Sequence, residues 1–93
     1  MSEAMIQTRP LKLVYFAWVR ERIGLAEETV TPPAEARTVA ELVRWLKSRD
    51  EGYAAAFADE AIVRAAIDHT HVKPDASIAE AHEIAFFPPM TGG

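Results

Sequence analysis

Residues 38–48, TVAELVRWLKS, carry the clearest structural signal in the chain. Thr38 is followed three residues later by Glu41, a capping box in which hydroxyl and carboxylate each satisfy a backbone N–H that a helix start leaves without a partner. Val39, Leu42, Val43 and Leu46 then fall on one apolar stripe. Lys47 and Arg49 lie where positive charge complements the helix dipole. The spacing predicts a helix from 39 to about 48, with one face to bury.

On its N-terminal side, Leu11 to Trp18 (LKLVYFAW) is almost wholly apolar and rich in aromatic and branched residues. That pattern predicts a strand buried on both faces. Val19 to Ile23 has room for one helical turn, stopped by Gly24. Glu27 to Thr31 alternates and meets Pro32-Pro33, which predicts a second strand. Residues 1–10 read as a mobile lead-in ending at Pro10.

On its C-terminal side, Tyr53 to Ala58 reads as a short second helix or an irregular crossover. Ile62 to Asp68 predicts a strand with Val63, Ala65 and Ile67 on one face, and His69 to Val72 a turn into a short edge strand. Lys73 to Ala81 is a loop anchored by Ile78, and Glu83 to Phe87 (EIAFF) is the last strand. Ile84 and Phe86 share one face of it, Ala85 and Phe87 the other. The order β-β-α-β-β-β, a mixed sheet of about five strands with one main helix on one face, is an α+β solution. The expected division is a lead-in at 1–10, one domain at 11–87 and an extended tail at 88–93.

Ninety-three residues hold one core, and 49% apolar with 26% charged residues is ordinary for a globular domain. The formal net charge is −4, and Arg20, Arg22, Arg44, Lys47 and Arg49 are interleaved with acids and apolar residues. A phosphate backbone rewards concentrated positive charge, so nucleic acid is not an expected partner, nor is an anionic membrane. With no cysteine, any sulfur chemistry uses sulfur supplied from outside. No apolar run approaches the roughly 20 residues of a membrane span. The polar start, Met1 to Arg9, lacks the apolar core of a signal peptide, so the expected location is cytoplasmic.

After Phe87 come Pro88, Pro89, Met90, Thr91, Gly92 and Gly93. Two prolines remove two backbone donors, so the strand stops and the chain leaves the sheet extended. Six extended residues reach at most roughly 20 Å. Gly92 and Gly93 have no Cβ, so a partner's channel can grip their backbone closely. A terminal carboxylate, with a pKa of about 3.3–3.7, is a poor electrophile until a partner activates it, for instance as an acyl adenylate. A sulfur nucleophile then converts it to a thiocarboxylate. A bare Gly-Gly end is by itself more often a loose terminus. Its place, after an aromatic strand and a diproline stop, is what points to chemistry.

The stretches LKLVYFAWVRERIG (11–24), TVAELVRWL (38–46), AAIDHTHV (65–72) and EIAFFPPMTGG (83–93) resemble the MoaD/ThiS family of ubiquitin-like β-grasp proteins, which includes the small, sulfur-carrying subunit of molybdopterin synthase. The terminal FFPP-x-x-GG is the most specific element, and FA-x-x-RE-x-x-G (16–24) the next. The resemblance implies a β-grasp fold with the first and last strands as parallel central neighbours. It implies that an E1-like adenylyltransferase uses ATP to activate Gly93, which becomes a thiocarboxylate. The tail, Met90, Thr91 and Gly92 included, would enter the large catalytic subunit of molybdopterin synthase in a heterotetramer. There its sulfur would pass to cyclic pyranopterin monophosphate in molybdenum cofactor biosynthesis. The chain would be a sulfur-donor subunit with no autonomous activity and no permanently bound cofactor.

The same resemblance implies a docking surface on the sheet face opposite the helix. By alternation Phe16 and Phe87 fall there if Leu13, Tyr15, Ile84 and Phe86 point inward; the alternative is that one or both aromatics fill the core. His71 occupies a typically apolar position of that surface, and Arg20 is a candidate rim contact. Two further departures are Asp68, where the family usually has Asn, and Ala81-His82, where it has a Gly-Asp turn.

Other groupings point to less. His69 and His71 alternate on one strand face, with Asp68 and His82 within possible reach, but zinc wants three or four ligands, and solvated edge histidines are the commoner outcome. Asp59, Glu60, Glu80 and Glu83 are scattered without a spacing that pairs two over a substrate. Trp45 flanks the helix stripe and reads as packing. Competing functions are a carrier for thiamine thiazole or another sulfur pathway, a ubiquitin-like modifier joined to lysines, and an adaptor with an inert tail.

Overall fold

The computed structural model describes residues 9–89. Five strands form one sheet: β1 (Leu11–Tyr15), β2 (Glu27–Val30), β3 (Arg64–Ile67), β4 (Thr70–Val72) and β5 (Glu83–Phe87). Three α-helices accompany them: α1 (Ala17–Ile23), α2 (Val39–Lys47) and α3 (Glu51–Ala56), with a 3-10 turn at Glu60–Ile62. The sheet order is β2-β1-β5-β3-β4. Only β1 and β5 run parallel, at its centre, and the other neighbours are antiparallel. Among the described residues no helix is long and apolar enough to cross a membrane.

The expected stripe is what α2 buries: Val39, Leu42, Val43 and Leu46. They pack on Leu13, Tyr15, Ile84 and Phe86 from the central strands. Glu41 N–H donates to Thr38 Oγ1 at 3.2 Å. The reciprocal arm lands one residue earlier than the sequence pattern implies: Glu41 accepts from the backbone N–H of Arg37 at 2.7 Å. The carbonyls of Pro74 and Ala76 take the N–H groups of Ala40 and Val39, so the 73–81 loop closes the rest of this helix start. Phe57, just after α3, is fully buried and meets Phe86 edge-on at 5.1 Å.

Three boundaries correct the sequence reading. The first strand ends at Tyr15 rather than Trp18. Phe16 keeps extended backbone, then Ala17 takes φ 54° and starts α1 with Trp18 inside it. The predicted strand 62–68 shortens to Arg64–Ile67, because Ile62 closes the 3-10 turn and Asp68 opens the hairpin. His69 sits in that hairpin turn, not beside His71 on strand β4. The stop at Gly24 is as expected: φ is 92° and its N–H donates to Arg20 O.

One inward charge braces the sheet edge. Glu28 of β2 accepts from the Tyr15 hydroxyl at 2.7 Å and the Tyr53 hydroxyl at 2.5 Å on the same oxygen. Arg49 lies 4.0 Å from its other oxygen. Burial, then the bond to Glu28, pushes the Tyr53 phenol up to about 12 and raises Tyr15 further.

Candidate functional site: the tail root and the outer sheet face

The parallel β1–β5 pairing decides where the chain leaves the domain. Tyr15 faces Phe86, and Phe16 N–H donates to Phe86 O at 3.1 Å. On the other side of β5, Arg64 faces Phe87. The strand is therefore held from both sides up to its last residue. Pro88 and Pro89 then lack the donors to extend the ladder, and both are half-buried at the sheet's end. Met90, Thr91, Gly92 and Gly93, the expected reacting segment, lie outside the described residues.

The sheet face away from the helices carries the predicted aromatics. Phe16 is exposed and Phe87 half-buried, so neither belongs to the core. Extended backbone at Phe16 continues the β1 alternation, which turns its side chain away from the Tyr15 side. The His71 ring sits 5.3 Å from the Phe87 ring. Those two rings meet across Ala66, whose small side chain is buried although it lies on the outer face. Val14 and Ala85, register partners on β1 and β5, continue this surface and are half-buried. Arg20 is exposed one turn into α1, its N–H bonded to Phe16 O. Phe16, Phe87 and His71 thus lie on the outer sheet face, which they share with Arg64, the register partner of Phe87, while Arg20 is exposed on the helix that follows Phe16. The part of Val14 and Ala66 in that face was in reach of strand alternation but not of any motif.

At the opposite end, two sequence departures meet each other. Asp68 Oδ1 accepts from the backbone N–H of Glu83 at 2.9 Å and of His82 at 3.1 Å, and the His82 ring nitrogen lies 3.4 Å from Oδ2. Desolvation pushes this carboxyl up, but the Glu83 and His82 N–H bonds and the His82 ring outweigh it, and the group sits below its ordinary value. Asp68 therefore ties the β3–β4 turn to the start of β5, a structural role.

Among the described residues no three His, Cys, Asp or Glu side chains gather as they would around a metal ion. A groove of about 680 Å³ opens between the start of β1 and the loops holding Pro33, Arg37 and Ile78, at the sheet end remote from the tail. Its Arg9 guanidinium is engaged by the carbonyls of Ala79 and Ala81. A second, of about 470 Å³, lies between α2 and β3–β4, with Val43, Phe57, Val63 and Val72 in its wall. Neither brings together a nucleophile, a base and an orienting partner.

Residues 13–93 match the ThiS family. The chain is 35% identical over 83 residues to the molybdopterin synthase sulfur carrier subunit of Escherichia coli K12, covering 89% of this chain and 99% of that one. Among solved structures it resembles a putative molybdopterin converting factor, subunit 1, from Pyrococcus furiosus (TM-score 0.68, 27% identity, 87% of this chain and 98% of that one). It also resembles SAMP1 from Haloferax volcanii (TM-score 0.66, 19% identity, 91% and 100%), a likeness that speaks to fold alone. The mixed five-strand sheet with its helices is the ubiquitin-like β-grasp that the resemblance implied.

Proposed function

The chain belongs to the ThiS family, and from that footing we propose that it is a sulfur carrier of molybdenum cofactor biosynthesis whose reacting group is the carboxylate of Gly93. The observation that carries this reading is the tail root: strand β5, clamped between β1 and β3, runs into Pro88-Pro89 beside an apolar face. The near end-to-end match to a molybdopterin synthase sulfur carrier supports the choice of pathway.

On this reading the domain performs no bond-making itself. An E1-like adenylyltransferase transfers AMP from ATP to the Gly93 carboxylate and releases pyrophosphate, which replaces a poor electrophile with an activated acyl group. A sulfide-level sulfur nucleophile attacks the acyl carbon, displaces AMP and leaves a thiocarboxylate. The large subunit of molybdopterin synthase docks on the outer face through Phe16, Phe87 and His71, with Arg20 at the rim. Met90, Thr91 and Gly92 thread its channel, and the sulfur passes to cyclic pyranopterin monophosphate. The two terminal glycines suit a channel too narrow for a Cβ.

Incubation with the activating enzyme, ATP and a sulfur donor tests the loading step by intact mass. The expected product is heavier by one oxygen-to-sulfur exchange, and a Gly93 deletion stays unchanged. An unaltered wild-type mass, with the activating enzyme proven competent on another carrier, contradicts the proposal. Gly93–lysine adducts in place of the exchange would assign the chain to protein modification instead.

A further inference from the structure

Among the described residues the exposed large apolar side chains are Phe16, Leu25 and Ile62, at 48%, 43% and 40% of full exposure. Single exposed apolar residues are normal on any protein and need no explanation. Their placement is what calls for one. Tyr15 N–H donates to Ala26 O at 2.9 Å, which puts Leu25 level with Phe16 at the mouth of β2. Arg64 faces Phe87 at the start of β3, and Ile62, the last residue of the 3-10 turn, precedes it by two residues at the same end of the sheet. Across the order β2-β1-β5-β3 the three residues stand just beyond the ends of β2, β1 and β3, and Pro88 follows β5 between the last two. At a strand spacing of about 4.8 Å the row spans roughly 15 Å.

We propose that Leu25 and Ile62, with Phe16, form an apolar collar that seats the mouth of the enzyme channel receiving the tail. This rests on the sulfur-carrier reading and goes beyond its docking face, to which the collar is joined through Phe16. The occupant is a protein channel rim with apolar residues against the collar and carboxylates opposite Arg20 and Arg64, which are exposed at the same end of the sheet. Arg64 is steadied there by a bond from its guanidinium to Ala61 O at 3.2 Å. The collar fixes insertion depth. Six residues reach at most roughly 20 Å from Phe87, and slipping by one residue moves the terminal carbon by about 3.3 Å, more than a reacting pair tolerates. A seat beside the root sets that depth for the activating enzyme that loads the tail.

The test is steady-state loading of Gly93 by the activating enzyme with ATP and a sulfur donor, followed by intact mass, for wild type and a Leu25→Ser/Ile62→Ser double variant. The KM for the carrier is expected to rise about tenfold, the scale of losing two apolar contacts, with the melting temperature unchanged. A Leu25→Met/Ile62→Leu variant is expected to restore it. Wild type that loads normally beside a double serine variant of equal KM overturns the collar and leaves the carrier reading standing. Wild type that does not load removes that reading and the collar with it. Should the double variant melt early, Leu25→Gln and Ile62→Gln singly carry the same comparison.

Discussion

Glu28 stands on an edge strand yet turns its carboxylate inward, where two tyrosine hydroxyls share one of its oxygens. Alternation in EETV already groups Glu28 with buried Val30, but its second partner, Tyr53, arrives from a helix 25 positions away, and no local pattern announces that. Tyr53→Phe removes one bond to a charged acceptor and is expected to cost about 1.5–2 kcal/mol in urea unfolding at neutral pH. The pH dependence follows from the raised phenol. With a folded value of about 12 against an ordinary 10.0, Tyr53 contributes stability that is complete below about pH 10 and lost as pH climbs toward 12. The same Tyr53→Phe variant should flatten that alkaline decline, read as melting temperature against pH. Asp68 has the opposite sign. Its lowered value means stability present above the ordinary carboxyl range and lost on acidification. An amide oxygen accepts the same N–H groups of His82 and Glu83, so Asp68→Asn is expected to melt near wild type at neutral pH and to lose less on acidification.

Among the elements, helix α2 was legible almost to its ends, because capping and stripe are local and agree. Strand β1 was legible in kind but not in length. An apolar run through Trp18 does not reveal that Ala17 turns left-handed and starts α1, which ends the strand at Tyr15. The β3–β4 hairpin was placed correctly, while its turn chemistry was hidden: Asp68 and His69 take φ of 47° and 75°, a two-residue turn that usually asks for glycine second. His69→Gly is therefore expected to stabilise the domain by about 0.5–1 kcal/mol in chemical denaturation. Helix α3 depends on close approach to α1: a Cβ on Gly52 would sit 3.0 Å from the Arg22 carbonyl oxygen. Backbone cannot yield as a side-chain tip can, so Gly52→Val is expected to cost about 1–3 kcal/mol, measured the same way.

At the scale of the whole molecule, the parallel β1–β5 pair does the organising. It sets Phe16 beside Phe87, at the end of the sheet where Leu25 and Ile62 are also exposed. The aromatic pair was legible from alternation, because both strands bury one face against α2. The collar was not, because it joins residues just outside three strands that only the order of the folded sheet brings to one end. The most direct measurement is single-turnover sulfur transfer. The chain, bearing a thiocarboxylate at Gly93, is mixed with the large subunit of molybdopterin synthase and cyclic pyranopterin monophosphate, and the terminus is followed by mass. The thiocarboxylate is predicted to revert to carboxylate as sulfur appears in the pterin, and a chain extended by one residue past Gly93 to transfer none. A thiocarboxylate that persists beside a proven large subunit, or transfer that survives the extension, would contradict the proposed role of Gly93.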